Sequence, residues 1–354
     1  MENLFYAAFI PGLQNFIEQV IQERLSDVKI HKLLDGAVVF ETAVTYDKLN
    51  FFCFNNIFAV INIIEDIHGN AALEKHIEYI KKIKHQKTSC NSAVNLDPVI
   101  NNNKKFNTFR IVVSNENVPA SIDEKLRVEA EKFISCLSGL KVNRSLPDTE
   151  FWFLYRRNDE HGQNFTIFMK RLTLRSSWEK TLHKGELPPP LAWALCRLAE
   201  LKCGDTVLDP FCGYGSIPEE AFKHFHITNF IAFDNDSDAA KYTQARFKKR
   251  KPGEFTFYQN DFKKLPSFAG ENSIDAIVTD PPWGQFKENA NASFLEKMFK
   301  IFGKVLKDGG RAAVLYAKDD DFLKAVPDCF ELQNNIPILL SGKKAVIYVL
   351  KKKK

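Results

Sequence analysis

Apolar residues at Leu13, Phe16, Ile17, Val20, Ile21 and Leu25 recur at the three- and four-residue spacing of one helix face, so LQNFIEQVIQERL (13–25) is predicted to be an amphipathic helix. LFYAAFIPG (4–12) before it reads as a strand ended by Pro11-Gly12. AVVFET and a second helical stretch then complete a β-α-β-like unit by about residue 60. From about residue 71, AALEKHIEYIKKIK is an amphipathic helix with a basic face. NNNKKFNTFRIVVSNENV (101–118) is a polar loop leading into a strand. In SIDEKLRVEAEKFISCL (121–137), a further helix, Ser121 and Glu124 match a capping box. TEFWFLYRRN (149–158) and NFTIFMKRLTL (164–174) alternate around DEHG, a hairpin signal.

The texture changes after SSWEKTLHKGELPPP (176–190). Three successive prolines fix an extended approach to the helix LAWALCRLAEL (191–201). Short apolar strands then alternate with helices: TVLDP (206–210), FIAFD (230–234), FTFYQND (255–261), IDAIVTD (274–280) and RAAVLYA (311–317). That alternation predicts a parallel sheet covered by helices on both faces, with ligands at the carboxyl ends of its strands. FELQNNIPILL and KKAVIYVLKK, joined by Ser341-Gly342, predict an antiparallel edge hairpin.

At 354 residues the chain exceeds one ordinary core, which implies two or three domains. The net charge of +5 is clumped in KKIKHQK (81–87), RFKKRK (246–251) and the terminal KKKK, compatible with an anionic partner. Seven cysteines, an odd number without a Cys-x-x-Cys pair, read as free thiols in a reducing compartment. With no signal-peptide pattern and no apolar run near the roughly 20 residues of a membrane span, a cytoplasmic protein is expected. His224 and His226 lack metal-ligand spacing with any neighbour, so no metal is expected.

Candidate chemistry sits at the predicted strand ends. After the first parallel strand comes LDPFCGYGSIPEEA, where Gly213 and Gly215 allow a tight turn and close approach of a ligand. Pro218 stands where a dinucleotide fingerprint needs a third glycine, and the Gly-Lys-Ser/Thr of a phosphate loop is absent. Asp209, ahead of the loop, would repel a phosphate; it suits a cationic ligand carrying an amino group. S-adenosylmethionine fits, with Asp234 at the next strand end for both ribose hydroxyls and Asp261 at the third for the adenine amine. Asp280 closes the fourth strand, where an acid followed by Pro281, Pro282 and Trp283 suits methyl transfer to a planar amine. The lone pair of such an amine is delocalised. A carboxylate and the Pro281 carbonyl accept its two N–H bonds and help localise that pair, while the prolines hold the turn rigid. Trp283 offers a face on which an extruded base can stack.

ELPPPLAWALCRLAELKCGDTVLDPFCGYGSIPEEA together with TDPPWG resembles the THUMP-domain RNA guanine-N2 methyltransferases, above all the tRNA branch. The resemblance is strongest over 184–284 and only pattern-level over 1–175. It implies an α/β fold class: a C-terminal Rossmann-like class I methyltransferase domain (191–354) after a linker (176–190), preceded by α+β ferredoxin-like (1–60) and THUMP (61–175) domains. VNRSLPDTEFWFLY followed by FTIFMKRLTLR is similar to the end of THUMP, a module that in this family recognises the 3′ CCA end of tRNA. Carried across, the cofactor set is Asp209, Pro210, Cys212, Gly213, Gly215, Asp234, Asn235, Asp261 and Phe262, with Leu187 and Pro188 at the methionine end. The catalytic set is Asp280, Pro281, Pro282 and Trp283. Tyr214 and Trp283 depart from the commoner residues at their positions.

For the RNA partner, Arg156, Arg157, Lys170, Arg171 and Arg175, in and beside the predicted hairpin, are candidates for phosphate contacts. The resemblance implies a tRNA substrate modified in the acceptor stem; a monomer is expected, and a small activator subunit, as some relatives require, leaves no trace in the sequence. The acid-Pro-Pro-aromatic motif alone also serves adenine N6, another RNA, or a glutamine side chain. A non-catalytic RNA-binding scaffold is the rival from outside enzymology.

Overall fold

The computed structural model describes residues 3–49, 51–89, 106–116, 118–157, 164–173, 182–283, 288–317 and 320–354. The chain divides into two compact units, Met1–Phe9 with Gln14–Ser176, and Ile10–Leu13 with Ser177–Lys354.

The first unit is built on a nine-stranded sheet: β1 (Asn3–Ala8), β2 (Lys29–Leu34), β3 (Ala37–Thr42), β4 (Asn56–Glu65), β5 (Thr108–Asn115), β6 (Val118–Pro119), β7 (Lys141–Val142), β8 (Thr149–Arg157) and β9 (Asn164–Arg171). Its order is β2-β3-β1-β4-β9-β8-β5-β6, with β7 beside β5. Helices α1 (Gln14–Arg24), α2 (Gly69–Ser89) and α3 (Glu124–Ser138) complete it. The helix expected before residue 60 is not formed. Residues 29–34 instead pair antiparallel with β3 across Asp35-Gly36, a two-residue turn in which Gly36 takes φ +80°. Between β3 and β4 the regular structure is one 3₁₀ turn, Tyr46–Lys48. The capping box is also replaced: Asp123 is the N-cap of α3 and accepts from the backbone N–H groups of Lys125 and Leu126.

Both faces of this sheet carry clusters of buried side chains. On one side, Phe109, Phe151, Phe153 and Phe168 pack with Leu73, Ile77 and Ile80 of α2 and Ala130 and Ile134 of α3. On the other lies a second cluster with Tyr6, Val39, Phe58, Phe165, Ile167 and Met169. Strand β9, between β4 and β8, therefore has neither face in water. The expected domain boundary at residue 60 falls inside β4, whose first residues pair with β1 and whose length from Phe58 to Glu65 pairs with β9.

The second unit carries β10 (Thr206–Asp209), β11 (Asn229–Asp234), β12 (Phe255–Gln259), β13 (Ile274–Thr279), β14 (Leu306–Ala317), β15 (Phe330–Leu340) and β16 (Lys343–Lys352). The order is β12-β11-β10-β13-β14-β16-β15; the first five are parallel, and β16 and β15 are antiparallel, as the terminal hairpin predicts. Helices α4 (Pro189–Leu198), α5 (Ser216–His224), α6 (Ser237–Phe247), α7 (Glu288–Val305) and α8 (Asp320–Ala325) alternate with the strands. Helix α4 starts earlier than the sequence suggests: Pro188 is its N-cap, and Pro189 and Pro190 occupy the first turn, where a missing N–H costs nothing. Strand β10 has β11 on one side and β13 on the other, so the strand order reverses there and leaves a crevice at the carboxyl ends.

Candidate functional site

Asp209, Asp234 and Asp280 end or follow three adjacent strands, β10, β11 and β13, at this crevice. Asp209 is 1% exposed. Its Oδ1 accepts from Thr279 Oγ1 at 2.7 Å and from the Phe211 N–H at 3.1 Å, whereas its buried Oδ2 has no hydrogen-bond partner. Burial, reinforced by the like charges of Asp234 and Asp280, pushes the Asp209 pKa up to about 8. Burial also pushes Asp280 up to about 7, opposed by a 2.7 Å hydrogen bond that the Trp283 Nε1–H donates to its Oδ1. None of the three has an ion-pair partner among the described residues. A buried acid with an unsatisfied oxygen, beside two more acids, fits a cationic ligand group; it fits the amino and sulfonium end of the expected S-adenosylmethionine and excludes a phosphate.

The glycine loop is shaped by its neighbours. Cys212 N–H donates to the Phe233 carbonyl, Gly213 N–H to Asp234 Oδ2 at 2.7 Å, and Thr243 Oγ1 to the Gly213 carbonyl at 2.8 Å. Gly213 has φ +49° with open space where a Cβ would point. Gly215 has φ +85°, and a Cβ there would lie 2.9 Å from Phe247 Cε2. Cys212 and Pro210 are buried, and desolvation raises the Cys212 thiol well above its ordinary range. Asp234 also accepts from the Asp236 N–H, so its carboxylate holds the loop while facing the crevice. Asp261 caps the 3₁₀ turn Phe262–Ser267 through the Lys263 N–H, and Phe262 packs its ring 5.0 Å from Phe211. Asn235 is exposed; Leu187 is buried and Pro188 half-buried at the start of α4.

Several residues the sequence did not single out hold this arrangement. Glu186, 5% exposed, accepts from the His183 N–H, Ser216 Oγ and Arg246 Nη1. Arg246 also donates to the Tyr214 carbonyl at 2.8 Å and pairs with Glu219. The Tyr214 ring lies flat on His183, with centroids 4.1 Å apart and planes 7° apart. Thr279 carried one signal, its place next to the motif; Arg246 stood out only as part of the basic clump 246–251, and nothing in the sequence marked Glu186.

Three candidates for phosphate contacts are corrected by burial. Arg156 is 6% exposed, pairs with Glu116 and donates to the Asp35 carbonyl. Arg171, also 6% exposed, pairs with the buried Glu150 and donates to Asn56 Oδ1. Lys170 is fully buried, with its ammonium over the Phe106 ring and its pKa lowered to about 8 by desolvation. On a sheet with buried clusters on both faces, these cations serve the interior. Arg157 is exposed, and Arg175 lies outside the described residues. No group of histidine, cysteine and acidic residues among the described residues could hold a metal ion, and no described helix is long and apolar enough to cross a membrane. Six cysteines are free thiols; Cys90 lies outside the described residues.

Residues 176–334 match the family described as RMKL-like, methyltransferase domain. A tRNA (guanine(10)-N2)-dimethyltransferase of Methanocaldococcus jannaschii is 29% identical over 258 residues, 69% of this chain and 72% of the relative. A probable tRNA (guanine(10)-N2)-dimethyltransferase of Methanothermococcus thermolithotrophicus is 34% identical over 125 residues, 34% of this chain and 75% of the relative. The match to a tRNA (guanine(6)-N2)-methyltransferase of Thermus thermophilus, 30% identical, covers 51% of this chain and about half of the relative, 54%. Among solved structures, TrmN from Thermus thermophilus superposes with a TM-score of 0.75 over 99% of both chains at 20% identity, a likeness of fold.

Proposed function

The chain belongs to the THUMP-domain type of RNA guanine-N2 methyltransferases, and on that premise we propose that it methylates the exocyclic N2 amine of a guanosine in tRNA, with S-adenosylmethionine as cofactor. The observation that carries the reading is the trio of acids at the strand-order reversal, with a free, buried oxygen on Asp209 and a carboxyl on Asp280 poised near neutrality.

Asp209, Asp234, Asp261 and the backbone around Gly213 hold the cofactor, with Leu187 and Pro188 beside its methionine end. Bound there, S-adenosylmethionine supplies an electrophilic methyl carbon on a cationic sulfur. The Asp280 carboxylate and the Pro281 carbonyl accept the amine N–H bonds and turn its lone pair towards that carbon. The Trp283 ring supports the base, and Asp280 takes the proton released as the N–C bond forms. A pKa of about 7 suits a group that must accept a proton at neutral pH.

In the same reading, residues 61–175 form the THUMP domain that holds the tRNA 3′ end, residues 1–60 its ferredoxin-like companion, and Arg157 and Arg175 contact phosphates. The target guanosine lies in the acceptor stem, and the enzyme works in the cytoplasm as a monomer, with or without a small activator subunit. The deciding experiment is transfer of tritiated methyl groups to total tRNA, followed by nucleoside mass spectrometry. N2-methylguanosine is expected, and Asp280→Ala should abolish it while tRNA binding persists. Methyladenosine would overturn the guanine assignment, and label in another RNA would move the substrate. Near wild-type turnover by the Asp280→Ala variant would refute the mechanism.

A further inference from the structure

Trp283 does more in this fold than present a ring. Its indole is half-buried against the core cluster that includes Leu208, Phe262 and Leu295. From that seat its Nε1–H reaches Asp280 Oδ1 at 2.7 Å. It is the one hydrogen-bond donor to the Asp280 side chain among the described residues. The donor therefore decides how the carboxylate is rotated: Oδ1 is taken, and Oδ2 is left for an incoming amine. Phenylalanine at this position would offer the same kind of face and no donor.

We propose that Trp283 is a positioning residue, whose indole N–H fixes the rotation of the Asp280 carboxylate so that Oδ2 meets the substrate amine. The proposal rests on the methyltransferase reading for its consequence, and on the hydrogen bond alone for its geometry. The same bond favours the ionised form of Asp280 against its burial; the titratable groups at the adjacent strand ends are Asp209 on β10, whose own ionisation Asp280 disfavours, and Asp234 on β11.

Two substitutions separate donor from ring. Trp283→Phe keeps an aromatic face and removes the N–H. Trp283→His restores an N–H, because imidazole Nε2 falls at the ring position of indole Nε1. Single-turnover methylation of tRNA by the protein should show, for Trp283→Phe, an acid limb moved up by about one pH unit, the size of one charge-assisted hydrogen bond, and a rate at neutral pH lower by roughly fivefold. The KM for tRNA should change by less than about threefold, and Trp283→His should return the limb most of the way. An unmoved acid limb in Trp283→Phe, or a raised KM with kcat intact, would overturn the proposal in favour of a stacking role alone.

A second readout does not depend on turnover. The chain has four tryptophans, so the ¹⁵N-indole resonance of Trp283 can be assigned by its loss in Trp283→Phe. In the wild-type protein it should titrate with Asp280, and Asp280→Asn should abolish that titration. An indole resonance insensitive to pH between about 5 and 9 and unchanged in Asp280→Asn would also overturn the pairing. Absence of methyl transfer by the wild-type protein would instead overturn the methyltransferase reading, and the resonance would still decide the hydrogen bond.

Discussion

Alanine at Gly213 and alanine at Gly215 should give opposite phenotypes, although only Tyr214 separates them. Both glycines have positive φ, so either methyl group incurs the left-handed penalty of about 1–2 kcal/mol. At Gly213 that is the whole cost, because its Cβ would meet nothing within 4 Å. At Gly215 the Cβ would lie 2.9 Å from Phe247 Cε2 and 3.3 Å from Thr243 Cγ2. Phe247 is itself held by Phe255 at 4.3 Å and Phe222 at 6.0 Å, so it has little room to retreat, and overpacking adds about 1–3 kcal/mol. Gly215→Ala should therefore destabilise the second unit by about 2–5 kcal/mol, lowering its melting temperature by roughly 4–20 °C. Gly213→Ala should lower it by only about 2–8 °C, taking about 2–4 °C per kcal/mol for a unit of this size. In the proposed cofactor site the open space over Gly213 admits the ligand to the backbone, so on that proposal Gly213→Ala should weaken S-adenosylmethionine binding by tenfold or more (about 1.4 kcal/mol). Thermal unfolding and calorimetric titration of both variants check this. Equal stabilities, or a Gly213 variant that binds cofactor like the wild type, would refute the assignment of the two glycines.

Asp209, with its pKa raised from about 4 when unfolded to about 8 when folded, contributes stability that is complete below about pH 4 and is lost as pH rises to about 8, at up to about 1.4 kcal/mol per pH unit. Asp209→Asn should flatten that slope in urea unfolding without cofactor; an unchanged slope would refute it. Arg171→Ala should destabilise the first unit by about 3–5 kcal/mol, because Glu150 would keep a buried charge with one cation fewer; a stable variant that had lost only RNA affinity would restore the surface role denied to Arg171 above. Glu186→Gln should loosen Arg246 and the Tyr214 carbonyl, costing roughly tenfold in cofactor affinity with RNA affinity unchanged, as calorimetry and filter binding would measure. Unaltered cofactor affinity would reduce Glu186 to a packing residue.

The second unit was legible because its signals are local. Four of the five parallel strands read from the sequence end in an acid or a proline, so Asp209, Asp234 and Asp280 could be placed on a sheet before the sheet was seen. What lay across elements was not legible. Thr279 meets Asp209 only through the pairing of β10 with β13, and Arg246 reaches Tyr214 only because α6 packs beside the loop. In the first unit, Lys29–Leu34 mixes lysine, histidine and leucine without clean alternation, and the Asp35-Gly36 turn was the overlooked signal. The misplacement of Arg156, Lys170 and Arg171 has one cause. Alternation along a strand says which residues share a face, but not whether a second layer covers that face.

Strand β4 serves both halves of the first unit's sheet, and this fixes how that unit can come apart. The ladders to β1 and to β9 meet on Phe58 and Ala59, so opening of either loosens the other there, and amide exchange across residues 56–65 should proceed by one opening event rather than two. A fragment cut at residue 60 would split that strand, leaving raw ladder edges on both pieces and a tendency of each to self-associate. The smallest part of the amino-terminal half expected to fold alone is thus the whole nine-stranded sheet with its helices.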